Sequence, residues 1–137
     1  MSMVSPEVPN PAMKTKQRQT LEQVLIRTSK VMYPDLEPQV IDVRARASDG
    51  DTPLHKVALW GDNYATKLLL DAGADIDAIG DMGCTPLYFA VMNDHELVAA
   101  TLLDRGANPD IRSDLGRTPK ELALESNKKE MVRLFRK

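Results

Sequence analysis

Cysteine occurs once, as Cys84. No intramolecular disulfide can form, and a reducing compartment, the cytoplasm, is the expected setting. Aromatic residues make up only 4% of the chain. A core must then be aliphatic and alanine-based, which suits closely packed helices better than a β-sandwich. The two histidines, His55 and His95, stand too far from each other and from Cys84 to have metal-ligand spacing. No stretch approaches the roughly 18 apolar residues that span a bilayer, so no membrane association is expected. The net charge is −2, and the only basic run is Lys14-Thr15-Lys16-Gln17-Arg18. That reads as a solvated helix start and excludes nucleic acid as a partner, since phosphate binding needs a concentrated basic surface. The opening MSMVSPEVPNPAM has no basic segment followed by an apolar one, so it does not read as a secretory signal. Pro6, Pro9 and Pro11 make residues 1–13 an extended leader, and Met13 is a second candidate start.

What the chain does contain is a period. Thr52-Pro53, Thr85-Pro86 and Thr118-Pro119 are spaced by 33 residues. Gly50, Gly83 and Gly116 each precede the threonine by two positions. Gly73-Ala74-Asp75 returns as Gly106-Ala107-Asn108, and Leu69-Leu70 as Leu102-Leu103. A gapless period of this length signals stacked units rather than a mixed globular fold. The glycines permit a tight turn. Each threonine can cap a helix, and the proline then falls at the first helical position, where a missing N–H costs nothing. The first helices are expected over 53–59, 86–92 and 119–125. Gly61-Asp62, Asp94-His95 and Asn127-Lys128 make the inter-helix turns. Ala65, Leu68 and Leu69, then Val98, Thr101 and Leu102, give the second helices an apolar face. Gly73 and Gly106 end them. Upstream, residues 20–32 form an amphipathic helix with Leu21, Val24, Leu25, Thr28, Val31 and Met32 on one face. Pro34 and Pro38 stop it, and Val40-Ile41-Asp42-Val43 aligns one period before Gly73-Ala74-Asp75-Ile76.

Thr52-Pro53-Leu54-His55 and the Gly-Ala-Asp of 73–75, at this period, resemble the ankyrin repeat over roughly residues 41–137. The resemblance implies an all-α repeat solenoid of helix-turn-helix units joined by β-hairpin-like loops. Residues 14–46 are then an N-terminal capping helix and degenerate repeat, 47–79 and 80–112 two full repeats, and 113–137 a C-terminal cap. The cap departs from the pattern, with Lys120-Glu121 where the repeats have Leu-His or Leu-Tyr. Its last helix buries Met131, Leu134 and Phe135 and is otherwise charged, as a terminal unit requires.

No residue pattern points to catalysis. His55 sits where the family's histidine braces the hairpin to backbone, and that structural reading outweighs a general base. His95 lies in an inter-helix turn and is read as structural or solvated. Asp49-Gly50-Asp51 and Asp75-Ile76-Asp77 look like paired carboxylates but match no calcium loop and are read as turn residues. Residues 73–83 contain three glycines and no phosphate-binding loop, and no Ser-His-Asp or Cys-His arrangement is visible. Cys84, just before a helix cap, is conceivable as a low-pKa thiol; a small variable residue is the favoured reading. No enzyme activity, cofactor or metal is expected.

The resemblance leaves the hairpin tips and the exposed side of the first helices unconstrained, together lining one concave face. In the first repeat these are Arg46, Ser48, Asp49, Asp51, Leu59 and Trp60. The second offers Ile79, Asp81, Met82, Cys84, Met92 and Asn93, and the cap Arg112, Asp114, Leu115, Arg117, Glu125 and Ser126. Leu59, Trp60, Ile79, Met82, Met92 and Leu115 make this an apolar set for a surface, which is read as a site for a partner protein. The other reading folds Trp60 and Met92 back onto neighbouring repeats or the N-terminal helix. By analogy of size and fold with small stand-alone bacterial ankyrin proteins, the partner is a toxin whose basic cleft the acidic groups face, making the chain an immunity protein or inhibitor. The alternative is an adaptor or regulatory subunit on a housekeeping enzyme. A monomer is expected when free.

Overall fold

A computed structural model describes residues 19–136. The leader over 1–13 and the basic run Lys14–Arg18 lie outside the described residues. The chain forms α1 (Leu21–Met32), then three helical pairs: α2 (Pro53–Trp60) with α3 (Asn63–Asp71), α4 (Pro86–Met92) with α5 (Glu96–Asp104), and α6 (Pro119–Glu125) with α7 (Lys129–Leu134). Each helix starts where local chemistry dictates. The hydroxyls of Thr20, Thr52, Thr85 and Thr118 accept the backbone N–H three residues on. In three of the four the third residue answers: Gln23 Oε1, His55 Nδ1 and Glu121 Oε1 accept the N–H of the capping threonine. Tyr88 has no atom placed to return that bond, and the box at Thr85 is one-sided. Capping of this kind is worth about 1 kcal/mol per helix.

The period becomes columns of side chains through the stack. Leu69, Leu102 and Phe135 are buried one above another in register, as are Ala65, Val98 and Met131. Val57, Ala90 and Ala123 form the column on the first helices, and all three are fully buried. Alanine there lets adjacent helices approach closely, which explains the low aromatic content. Phe135 is buried more deeply than Leu134. The N-terminal α1 closes the stack with Val24, Leu25, Thr28 and Met32, but Val31 faces solvent and Ser29 is buried in its stead. Ser29 Oγ accepts the Gln39 N–H at 3.0 Å, tying the Pro34–Pro38 connector back onto the helix.

The connecting loops are turns closed by one rung each. Ala47 N–H donates to Asp51 O, Gly80 N–H to Cys84 O and Ser113 N–H to Arg117 O, at 2.8–2.9 Å. No strand forms among the described residues. At the end of each of the first three units a smaller turn recurs in register: Asp42, Asp75 and Asn108 accept the N–H two residues on. The N-terminal unit therefore keeps the repeat's loop while Pro34 and Pro38 deny it a second helix.

Candidate protein-binding face

The hairpins are locked to one another by buried polar groups. His55 is fully buried, its Nδ1 accepting the Thr52 N–H and its Nε2–H donating to Cys84 O of the next unit at 2.9 Å. Phe89 packs edge-on against the ring at 5.5 Å between centroids. Burial holds the imidazole pKa down, against the pull of the Cys84 carbonyl and the Asp51 carboxylate, so the ring is neutral at pH 7. Asp51 Oδ1 accepts the Asp81 N–H at 2.8 Å. A Cβ on Gly80 would lie 2.3 Å from that carboxylate and 2.7 Å from His55 Nε2, so only glycine allows the second hairpin this close. One hairpin further on, Asp114 N–H donates to Met82 O at 2.9 Å.

These contacts correct four members of the set read from the sequence. Asp51 is buried, because its carboxylate takes the Asp81 N–H and pairs with Lys56 at 3.2 Å. Cys84 is buried, and burial first, then the carboxylates of Asp51, Asp81 and Asp114, push its thiol up to about 11, the opposite of an activated nucleophile. Leu59 is half-buried against Cys84, Tyr88 and Phe89, packing rather than presenting itself. Arg46 is exposed but committed, since its Nη1 bridges Gly50 O and Ile79 O at 2.8 and 2.7 Å. Arg112 repeats that bridge to Gly116 O and adds Glu121, and Arg117 pairs with Glu125 at 2.6 Å.

The remaining residues lie open. Ile79 and Met82 project from one hairpin and Leu115 from the next, each exposed by nearly half. Asp49, Asp114 and Ser48 are exposed beside them, and Asp81 is half-buried. Met92 and Asn93 are exposed at the end of α4, with Asn93 Nδ2 bonded to Phe89 O. Trp60 satisfies parts of both readings. It is 38% exposed, and the Arg27 guanidinium of α1 lies 4.9 Å from its ring centroid. Arg27 is itself held at 2.6 Å by Asp62. Burial opposes the charge of Asp62, but the Ala65 N–H and Arg27 outweigh it and lower its pKa. Met82 has φ of 55°, a left-handed backbone that costs a non-glycine residue about 1–2 kcal/mol.

Sequence reasoning missed Arg27 and the ion pair Asp62 makes with it; of the two readings of His95, the structural one holds. His95 Nε2 donates to Leu59 O at 2.9 Å, and its ring lies over Gly61, where a Cβ would be 2.5 Å from Nδ1. The recurrence of Gly61-Asp62 as Asp94-His95 marked the turn but not the brace. Among the described residues no three His, Cys, Asp or Glu side chains converge to hold a metal, and no helix is long and apolar enough to cross a membrane.

A family model of ankyrin repeats, in three copies, matches residues 18–113, more than half of the chain. The chain is an ankyrin-repeat protein. No curated relative matches it. Ankyrin repeats are non-catalytic modules for binding other proteins, and the all-helical stack here is the corresponding solenoid. The match takes in α1 and its turn as part of the ankyrin array and ends at Ser113, before α6 and α7.

Proposed function

We propose that the protein binds a partner protein through its hairpin tips and the exposed ends of its first helices, and that it acts by occluding that partner. The observation that carries the reading is the set Ile79, Met82 and Leu115, apolar and exposed on two adjacent tips, with Asp81 and Asp114 on the same tips and Asp49 on the one before. Such a surface costs solubility unless something covers it. The carboxylates favour a partner with a basic cleft, and opposite charge would speed the encounter. A toxin or enzyme whose active site handles anionic substrates fits, which makes the chain an immunity protein or inhibitor acting in the cytoplasm. The unstrained way to lose this function is to make the tips polar without touching the braces beneath them. The test is co-expression with any toxin encoded next to the gene in the native host. Rescue of growth by the wild type, lost in Ile79→Ser/Leu115→Ser, supports the reading. No rescue, together with a stable complex on a housekeeping enzyme, replaces it with the adaptor role.

A further inference from the structure

The two junctions between successive first helices differ at one register. Between α2 and α4 the pair is Gly61 and His95, and the imidazole fills the gap and donates to Leu59 O, the helix-end carbonyl. Between α4 and α6 the equivalent pair is Asp94 and Lys128. Lys128 pairs with the Asp94 carboxylate at 2.7 Å instead of reaching a helix-end carbonyl, and a cleft of about 300 Å³ that it helps to line is open here. Its floor is apolar, with Val91, Met92, Leu122 and Met131, and its rim carries Asp94, paired with Lys128, and Glu125, whose Oε1 pairs with Arg117 at 2.6 Å. Met92 O, in register with Leu59 O, accepts no hydrogen bond among the described residues. Asp94 keeps the left-handed backbone of Gly61, with φ of 61°.

An apolar cleft rimmed by two carboxylates, with a backbone carbonyl of the lining residue Met92 unbonded among the described residues, matches a side chain with an aliphatic stem and a cationic head. The separate acceptors favour a planar fork over a point charge. The Asp94–Lys128 and Glu125–Arg117 pairs are both exposed on both sides and exchange readily with an incoming cation. We infer that this cleft between α4 and α6 receives an arginine side chain of the partner protein, its stem on Met92 and Leu122 and its guanidinium on Asp94, Glu125 and Met92 O. The inference rests on the partner-binding reading above and names the chemistry that one part of the face recognises.

The test needs no partner. The full chain with ¹³C-methyl methionine is titrated by NMR with n-butylguanidinium, n-butylammonium and 1-butanol. The cleft predicts saturable shifts of the Met92 and Met131 methyls with butylguanidinium, at least about fivefold tighter than with butanol, while Met32 and Met82 stay still. Asp94→Gly relieves the left-handed backbone, so its melting temperature should not fall, yet its butylguanidinium affinity should drop at least about threefold. Equal binding of butanol, tighter binding of butylammonium, no saturation, or equal shifts at Met82 each overturn the inference. A failure here alongside growth rescue that depends on the tips leaves the face reading intact. A saturable cleft without rescue sinks only the face reading.

Discussion

The junction between the two full repeats and the junction between the second repeat and the C-terminal unit are built from different materials. The inner one is buried and polar: His55 to Cys84 O, Asp51 to the Asp81 N–H, His95 over Gly61. The outer one has a single hairpin-to-hairpin backbone bond, Asp114 N–H to Met82 O, and the exposed ion pairs Lys128–Asp94 and Arg112–Glu121, with Arg117–Glu125 beside them inside the C-terminal unit. Buried hydrogen bonds cannot be exchanged for water without leaving a group unsatisfied, whereas exposed ion pairs contribute about 0–1 kcal/mol each. The same 33-residue plan therefore yields a rigid middle and a softer end. The softer end is where the cleft between α4 and α6 lies, beside the tips proposed to meet a partner.

The largest expected effect is at the inner brace. His55→Ala removes a fully buried side chain, orphans the Thr52 N–H and takes from Cys84 O one of its two donors, leaving the Gly80 N–H. Urea unfolding should show a loss of about 3 kcal/mol. A loss under about 1 kcal/mol would mean the hairpins are not held through this ring.

Acid should act on the same group. The folded pKa of His55 lies below the 6.5 of the free imidazole. Above 6.5 both states are neutral and the group contributes no pH dependence. Below it the unfolded chain binds a proton that the fold resists, so stability falls by about 1.4 kcal/mol per pH unit until the folded pKa is reached. Between pH 7 and 5.5 the unfolding midpoint should drop in the wild type. A midpoint unchanged over that range would place the ring in solvent.

A gain of about 1 kcal/mol should follow from copying the inner junction onto the outer one. Asp94→Gly/Lys128→His removes a left-handed aspartate and offers an imidazole to Met92 O. The melting temperature should rise, and the cleft between α4 and α6 should close to butylguanidinium. The smallest effect belongs to the exposed pair Arg133–Glu130, where Glu130→Ala should change stability by less than about 0.5 kcal/mol. A larger loss would mean that the C-terminal unit depends on its ion pairs after all.

Some of this was legible in the sequence because it is local and repeated. Thr52, Pro53 and Gly61 carry caps and turns whose chemistry is complete within a few residues, and their echoes at 85, 86 and 94 exposed the plan. The helix over 20–32 was readable for the same reason, although Val31 and Ser29 exchanged sides. The losses occurred where a partner atom comes from another unit. Asp51 reads as a solvent-facing turn residue until the Asp81 N–H, 30 positions away, arrives on it. Arg27 over Trp60 joins two units through no motif. Met82 occupies a register where Asp49 and Leu115 keep ordinary backbone, so no residue type announced its left-handed turn. The binding role of the tips rests on exposure and charge, and no local pattern encodes either.

The central claim is that the hairpin tips, and not the outer face of the second helices, engage the partner. Titration calorimetry of the captured partner against wild type, Met82→Ser/Leu115→Ser and Leu97→Ser tests it directly, since Leu97 on α5 is the most exposed large apolar residue described. The tip variant should bind at least about tenfold more weakly, with an unchanged melting temperature, and Leu97→Ser should bind within about twofold of wild type. Full affinity in the tip variant, with binding lost in Leu97→Ser, would contradict the account.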